Sequence, residues 1–213
     1  MGPVGRQSSR TGSADAAPGG GTPREGRLPA VLADAVSVEA GGASEMDQEL
    51  IEVGVDRIVL SSDRKPLVVL TDQQQGRLLT IPIGMAEATA IHFELESQKF
   101  PRPLTHDLIA SVMRGLEVAL DRVVVTEIRE GTFYAEMSLR VDGQTRSIDA
   151  RPSDAIAVAI RMGASVYVSS AVMDEASLPA EGLGIRGAED PDQRQRELRQ
   201  FRDLLLDLDL HDD

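Results

Sequence analysis

Acid–base chemistry in this chain has few candidate residues: three histidines, thirty-five carboxylates and no cysteine among 213 residues. His106 is the histidine best placed for it. It follows the Pro-fixed loop Pro101-Arg-Pro103, falls in the first turn of an expected helix, and has Asp107 beside it. A neighbouring carboxylate orients an imidazole and raises its pKa toward working pH, the arrangement of a general base. A solvated or capping histidine has the same local sequence. His92 sits inside another expected helix beside its apolar stripe, and His211 lies near the C-terminus.

A second concentration of polar groups lies in Asp149 to Gly163, D-A-R-P-S-D-A-I-A-V-A-I-R-M-G. Pro152 disfavours helical backbone at Arg151, so a strand ends there and a helix begins at once. Ser153 reads as the N-cap and Asp154 as a first-turn charge that suits the helix dipole. Ile156, Val158, Ala159 and Ile160 make the helix apolar nearly all round, which means burial, and Gly163 stops it. Capping with an Arg–Asp pair accounts for this corner. A ligand-binding or catalytic corner does so equally.

Guanidinium meets phosphate in a two-pronged fork, so Arg102 and Arg151, each before a proline, are natural phosphate clamps. Each serves equally well in a structural ion pair with Asp107 or Asp154. Carboxylates can hold Mg²⁺ or Mn²⁺, which activates water and neutralises a leaving oxyanion. The candidates are Glu87, Asp107, Glu127, Asp149 and Asp154, with no diagnostic metal-ligand spacing among them. Phe100, Phe133 and Tyr134 are the aromatics available for stacking on bases.

Three blocks carry a resemblance. Arg151 to Val168, R-P-S-D-A-I-A-V-A-I-R-M-G-A-S-V-Y-V, is similar to the signature of the bifunctional nuclease domain family. Pro101-Arg-Pro-Leu-Thr-His-Asp-Leu108 resembles its other hallmark and Glu130-Gly-Thr-Phe-Tyr-Ala135 a third. Ile83-Gly-Met-Ala-Glu-Ala88 also resembles the family, and the similarity runs from about Glu49 to Ala176. The resemblance implies hydrolysis of phosphodiester bonds in DNA and RNA with little sequence preference. On that reading His106, Asp107 and Asp154 are catalytic, Arg102, Arg151 and Ser153 bind substrate, and Glu87 and Asp149 hold Mg²⁺ or Mn²⁺. Pro82 departs from the pattern, since relatives usually carry an aromatic there.

The elements that must position these groups follow from periodicity. Residues 1–45 have the Gly-, Ser- and Pro-rich composition of a disordered tail, with Leu28 to Val38 the one stretch suited to a transient helix. A domain over residues 46–178 begins with a kinked strand through Ile51 to Leu60. A short strand at Leu67 to Leu70 and a return strand at Leu78 to Ile83 follow, Pro82 demanding an edge or a bulge. Helices are expected over Gly84 to Gln98 and from a Thr105 cap onward. A meander follows: Arg122–Arg129, Thr132–Val141 and Gln144–Ala150, with Asp142-Gly143 as hairpin turn. The signature helix, a strand at Val166–Ser169 and a short helix at Ala171–Ala176 close the domain. Grouped strands favour an α+β fold with a mixed, largely antiparallel sheet. Residues 179–192 read as a linker and 193–208 as an amphipathic helix that docks on the domain, on a sister subunit or on a partner.

Charge bears on function. The net charge is −13, of which residues 50–178 carry −5 and the flanking segments −8. Nucleic-acid binding normally shows as a basic patch, so contact with phosphate must be local or metal-assisted. The absence of cysteine fits a reducing cytoplasm, and no apolar run is long enough to span a bilayer. The rival to a nuclease is a non-catalytic homo-oligomeric module that binds a small anionic ligand or a protein partner, which the acidic charge favours. Met46 stands just before the first strand, where an initiator would, so translation from Met1 or from Met46 are both open.

Overall fold

The computed structural model describes residues 49–98 and 100–179, the strand Val36–Ser37, and positions 196, 199 and 203. Among the described residues, nine strands form one mixed sheet in the order β1-β7-β6-β5-β8-β2-β3-β4-β9. Every neighbouring pair is antiparallel except β5–β8. β2 (Leu50–Leu60) joins the two halves of this sheet. Its start, Leu50 to Val53, pairs with β8 (Ser165–Ser169), and Gly54 to Leu60 pairs with β3 (Pro66–Asp72). A register shift between Val55 and Arg57 is the expected kink, a bulge that bends the strand where it changes partner.

β4 (Arg77–Pro82) returns along β3 and is paired on its outer side only at Arg77 and Leu78, by β9 (Leu178–Pro179). Among the described residues nothing pairs with Pro82 on its outer side, so its missing N–H disrupts no ladder there. β5 (Ala119–Arg129), β6 (Thr132–Val141) and β7 (Gln144–Ala150) form the meander. Both of its turns, Glu130-Gly131 and Asp142-Gly143, have two successive residues at positive φ, 51° and 74° and then 51° and 77°. That is the type I′ geometry whose twist matches the flanking strands. β1 (Val36–Ser37) adds to β7 at the far edge, so these two residues are strand rather than the expected transient helix or disordered tail. The rest of the 1–45 expectation, Met46, the linker from residue 180 onward and most of the 193–208 helix lie outside the described residues; Pro179, expected as the start of the linker, is strand, and positions 196, 199 and 203 are helical.

α1 (Met85–Leu95), α2 (Thr105–Gly115) and α3 (Pro152–Met162) pack together on one face of the sheet. α3 lies against β5 and β6, α1 against β2 and β3, and α2 against α3. The core between them is aliphatic, with Leu70, Leu79, Ile91, Val125 and Ile156 fully buried. α4 (Ser170–Ala176) starts with the Ser169 hydroxyl accepting the Val172 N–H at 3.3 Å. α1 is shorter than Gly84 to Gln98, and two caps differ from expectation. Leu104, not Thr105, is the N-cap of α2, and Arg151, not Ser153, that of α3. Pro152 explains the second shift, because its fixed φ suits the first helical position and puts the cap on the residue before it, two residues ahead of Ser153. Gly163 ends α3 as expected, at φ 69°.

Candidate functional site

The first turns of α1, α2 and α3 meet at one place, through their side chains. Each helix carries a carboxylate at its third position: Glu87, Asp107 and Asp154. That spacing lets a carboxylate face unsatisfied first-turn amides and the positive end of the helix dipole. Glu87 folds back on the α1 cap so closely that a Cβ added to Gly84 would lie 2.2 Å from its carboxylate oxygen. Arg151, extended at φ −64° and ψ 139°, stands at the junction. Its Nε donates to Asp154 Oδ2 at 2.7 Å and its Nη2 to Glu87 Oε1 at 2.7 Å.

The other oxygen of Asp154, Oδ1, lies 3.0 Å from Nε2 of His106. An ionised carboxylate only accepts, so Nε2 carries the proton and Nδ1 of a neutral ring keeps its lone pair. Burial opposes ionisation of Asp154, but the hydrogen bonds from Arg151 and His106 outweigh it, and its carboxyl is held below the ordinary value. The corner is thus an imidazole oriented by a carboxylate, which is itself held by a mostly exposed guanidinium.

Asp107 points elsewhere. Its Oδ2 accepts the Leu104 N–H at 2.8 Å and its Oδ1 the Arg161 Nε at 2.5 Å. Burial again opposes ionisation and is overcome, here by the bonds from Arg161 and Leu104, so this carboxyl is also lowered. Arg161 is buried, and its other nitrogens donate to the carbonyls of Ala157 at 2.8 Å and Ala90 at 2.9 Å. One side chain thereby ties α3 to α1 and α2. Sequence reasoning gave Arg161 no role, although it is the one charge in the apolar run from Ala155 to Met162.

The structure corrects several placements. The carboxylate on His106 is Asp154, not the adjacent Asp107. His106 is buried at 6% exposure, so it is not the solvated first-turn histidine that its local sequence also allowed. Ser153 is also buried, at the second position of α3, and does not cap it. Arg102 is exposed and makes no ion pair with a described residue; the partner of Asp107 is Arg161.

Glu87 and Asp149, the expected metal ligands, do not converge. Ile148 and Ala150 pack on the core side of β7, so Asp149 between them faces the other side, opposite Glu136. Among the described residues no three His, Asp or Glu side chains form a group suited to a metal ion. The carboxylates that do gather are each held by a guanidinium, so this donor set does not fit a divalent cation.

An α+β domain whose chemistry sits where helix N-termini meet, with an oriented imidazole and an exposed arginine, has the equipment to handle a phosphate ester. Residues 68–181 match the bifunctional nuclease domain, and the chain belongs to that family. An uncharacterized protein of Mycobacterium tuberculosis, known from two strains, is 40% identical over 114 residues, covering 54% of this chain and 68% of that protein. Bifunctional nuclease 1 of Oryza sativa is 26% identical over 106 residues, 47% of this chain and 32% of that longer protein.

Proposed function

We propose that this protein is a nuclease that hydrolyses phosphodiester bonds of DNA and RNA with low sequence specificity. The observation that carries the reading is the Asp154–His106 pair beside Arg151 at the joined helix N-termini. Arg151 uses Nε and one Nη2 hydrogen on carboxylates and offers its remaining N–H groups to a phosphate. Arg102, exposed in the loop before α2, offers a second guanidinium. Asp154 fixes the His106 ring so that Nδ1 takes a proton from water as the water oxygen attacks phosphorus. The sugar oxygen then leaves with a proton returned from the imidazolium. The ring side chain is only 8% exposed, which suits a water molecule better than a bulky nucleophile. The family relationship supports the substrate class, and the absence of cysteine supports action in the cytoplasm.

The test is cleavage of supercoiled plasmid and of RNA by wild type and His106→Ala, each with and without EDTA. Wild type should cut both and the variant neither; no cutting by wild type under any condition refutes the reading. The EDTA arm shows separately whether Mg²⁺ or Mn²⁺ is needed.

A second reading, a non-catalytic homo-oligomeric module, draws on an exposed apolar surface. Leu108 and Val112 on one face of α2, and Leu116 at its C-cap, are each at least half exposed. Such a stripe marks an interaction surface. Homo-oligomerisation is compatible with either reading, so the plasmid assay, not the oligomeric state, separates them.

A further inference from the structure

Beside the corner, on the other side of the first turn of α2, lies an open cleft of about 410 Å³. Its size is within the range of about 300–1,000 Å³ of small-ligand sites. It is lined by the aromatic rings of Phe93 and Phe100, by Glu94 and Ser111, and by the Asp107–Arg161 pair. The two rings meet edge to face at 4.5 Å, and Phe100 is 40% exposed, an unusual position for one of only four phenylalanines. Neither ring contributes to the chemistry proposed above.

Among the described residues, the polar groups of the cleft are mostly acceptors. All three guanidinium nitrogens of Arg161 are turned inward, to Asp107, Ala157 and Ala90. Glu94 is 40% exposed, with Oε2 4.0 Å from Arg161 Nε, so its carboxylate still faces solvent. The Ser111 hydroxyl donates to the Asp107 carbonyl at 2.7 Å, which leaves its oxygen as an acceptor. Gln98 also reaches the cleft, and its amide can serve either kind of edge. Two carboxylates against one internally bonded guanidinium, counted among the described residues, disfavour a phosphate inside the cleft but welcome a flat, neutral ring with N–H donors.

The geometry points to a nucleobase site: the cleft takes one unpaired base of a single-stranded substrate, guanine before the others, while its phosphate stays outside near Arg102. Guanine presents N1–H and N2–H side by side to a carboxylate such as Glu94, and its face stacks on Phe100. Uracil and thymine present one N–H between two carbonyl oxygens, which the carboxylates disfavour. A base held in a duplex cannot enter unless it is flipped out. The inference takes its ligand class from the nuclease reading.

Titration of the full chain with guanosine and uridine 5′-monophosphates, followed by calorimetry, tests the site apart from cleavage. Wild type should bind the guanosine nucleotide at least about 10-fold more tightly than the uridine one. Phe100→Ala should weaken it by about 5- to 150-fold, the range of one base–aromatic stack. Phe100→Tyr should retain the affinity, and Glu94→Gln should remove the discrimination. Equal binding of the two nucleotides by wild type, or guanosine nucleotide binding unaffected by Phe100→Ala, overturns the inference. Cleavage by wild type with neither effect sinks the cleft and spares the nuclease reading. The full binding pattern without any cleavage does the reverse.

Discussion

Replacing Asp154 by asparagine separates a structural corner from a catalytic one. The carboxylate accepts two hydrogen bonds, from His106 Nε2 at 3.0 Å and Arg151 Nε at 2.7 Å. The Arg151 side chain is 67% exposed, so its pair with Asp154 contributes at most about 1 kcal/mol. The bond to the buried imidazole contributes about 1–1.5 kcal/mol, and an asparagine oxygen keeps part of it. Folding stability should therefore fall by about 1–2 kcal/mol, a Tm decrease of roughly 3–10 °C for a domain of this size. The folded population at 25 °C would barely change.

Turnover should fall much further. The amide carries no charge to stabilise the imidazolium, and it can present N–H to Nε2, which would move the ring proton to Nδ1 and remove the base. Proton transfer by a positioned group contributes about 10²- to 10⁴-fold, and that is the expected loss in kcat/KM on a single-stranded oligonucleotide. Melting curves and initial rates on the same preparation give both numbers. A variant that melts lower yet cleaves within about 3-fold of wild type would refute the reasoning and leave Asp154 as a structural ion-pair partner.

Acid should destabilise the domain through two lowered carboxyls: Asp107 and Asp154 both sit below their ordinary 3.8, so the unfolded chain binds more protons in that window. Their stabilisation is present above about pH 4 and lost as pH falls through the folded values, and Asp107→Asn should flatten the acid limb of a urea-midpoint profile. Burial lowers the pKa of His92 from 6.5, so its contribution is present above that value and lost as pH falls below it; His92→Gln should remove that separate step. Arg161→Lys cannot reach Asp107, Ala157 and Ala90 together, and should cost about 2–4 kcal/mol in chemical denaturation. Gly84→Ala should displace the Glu87 carboxylate from Arg151 with a Tm change under about 3 °C but a changed KM, whereas an unchanged KM would mean that Glu87 does not set the Arg151 position. A chain beginning at Met46 loses only the β1 pairing among the described contacts and should keep both its fold and any cleavage activity, as circular dichroism and the plasmid assay would show.

The sheet and its turns were legible because their signals are local. Asp142-Gly143 between alternating strands names its own turn type, and the apolar body of α3 names its burial. The partner of His106 was not. Adjacent residues on a helix point about 100° apart and do not face each other, so Asp107 was a poor choice on helix geometry alone. The actual partner, Asp154, lies 48 residues away and is brought in by the packing of α2 on α3. Arg161 was illegible for a similar reason. A lone charge in an apolar helix implies a buried partner, but two of its acceptors are backbone carbonyls, which leave no mark in sequence. β1 escaped notice because two residues cannot display a period.

The meeting of three helix starts on a molecule of net charge −13 has a consequence for how a polyanion would arrive. The attraction from helix dipoles fades within about one turn, whereas the repulsion from the whole acidic surface extends over a Debye length, about 30 Å at 0.01 M salt and 10 Å at 0.1 M. A nucleic acid would therefore be pushed away at long range and held only on contact. Most nucleic-acid enzymes are steered in by a basic face and slow steadily as salt rises. Here added salt first shortens the reach of the repulsion and leaves the contact groups almost untouched, so capture should speed up before it slows.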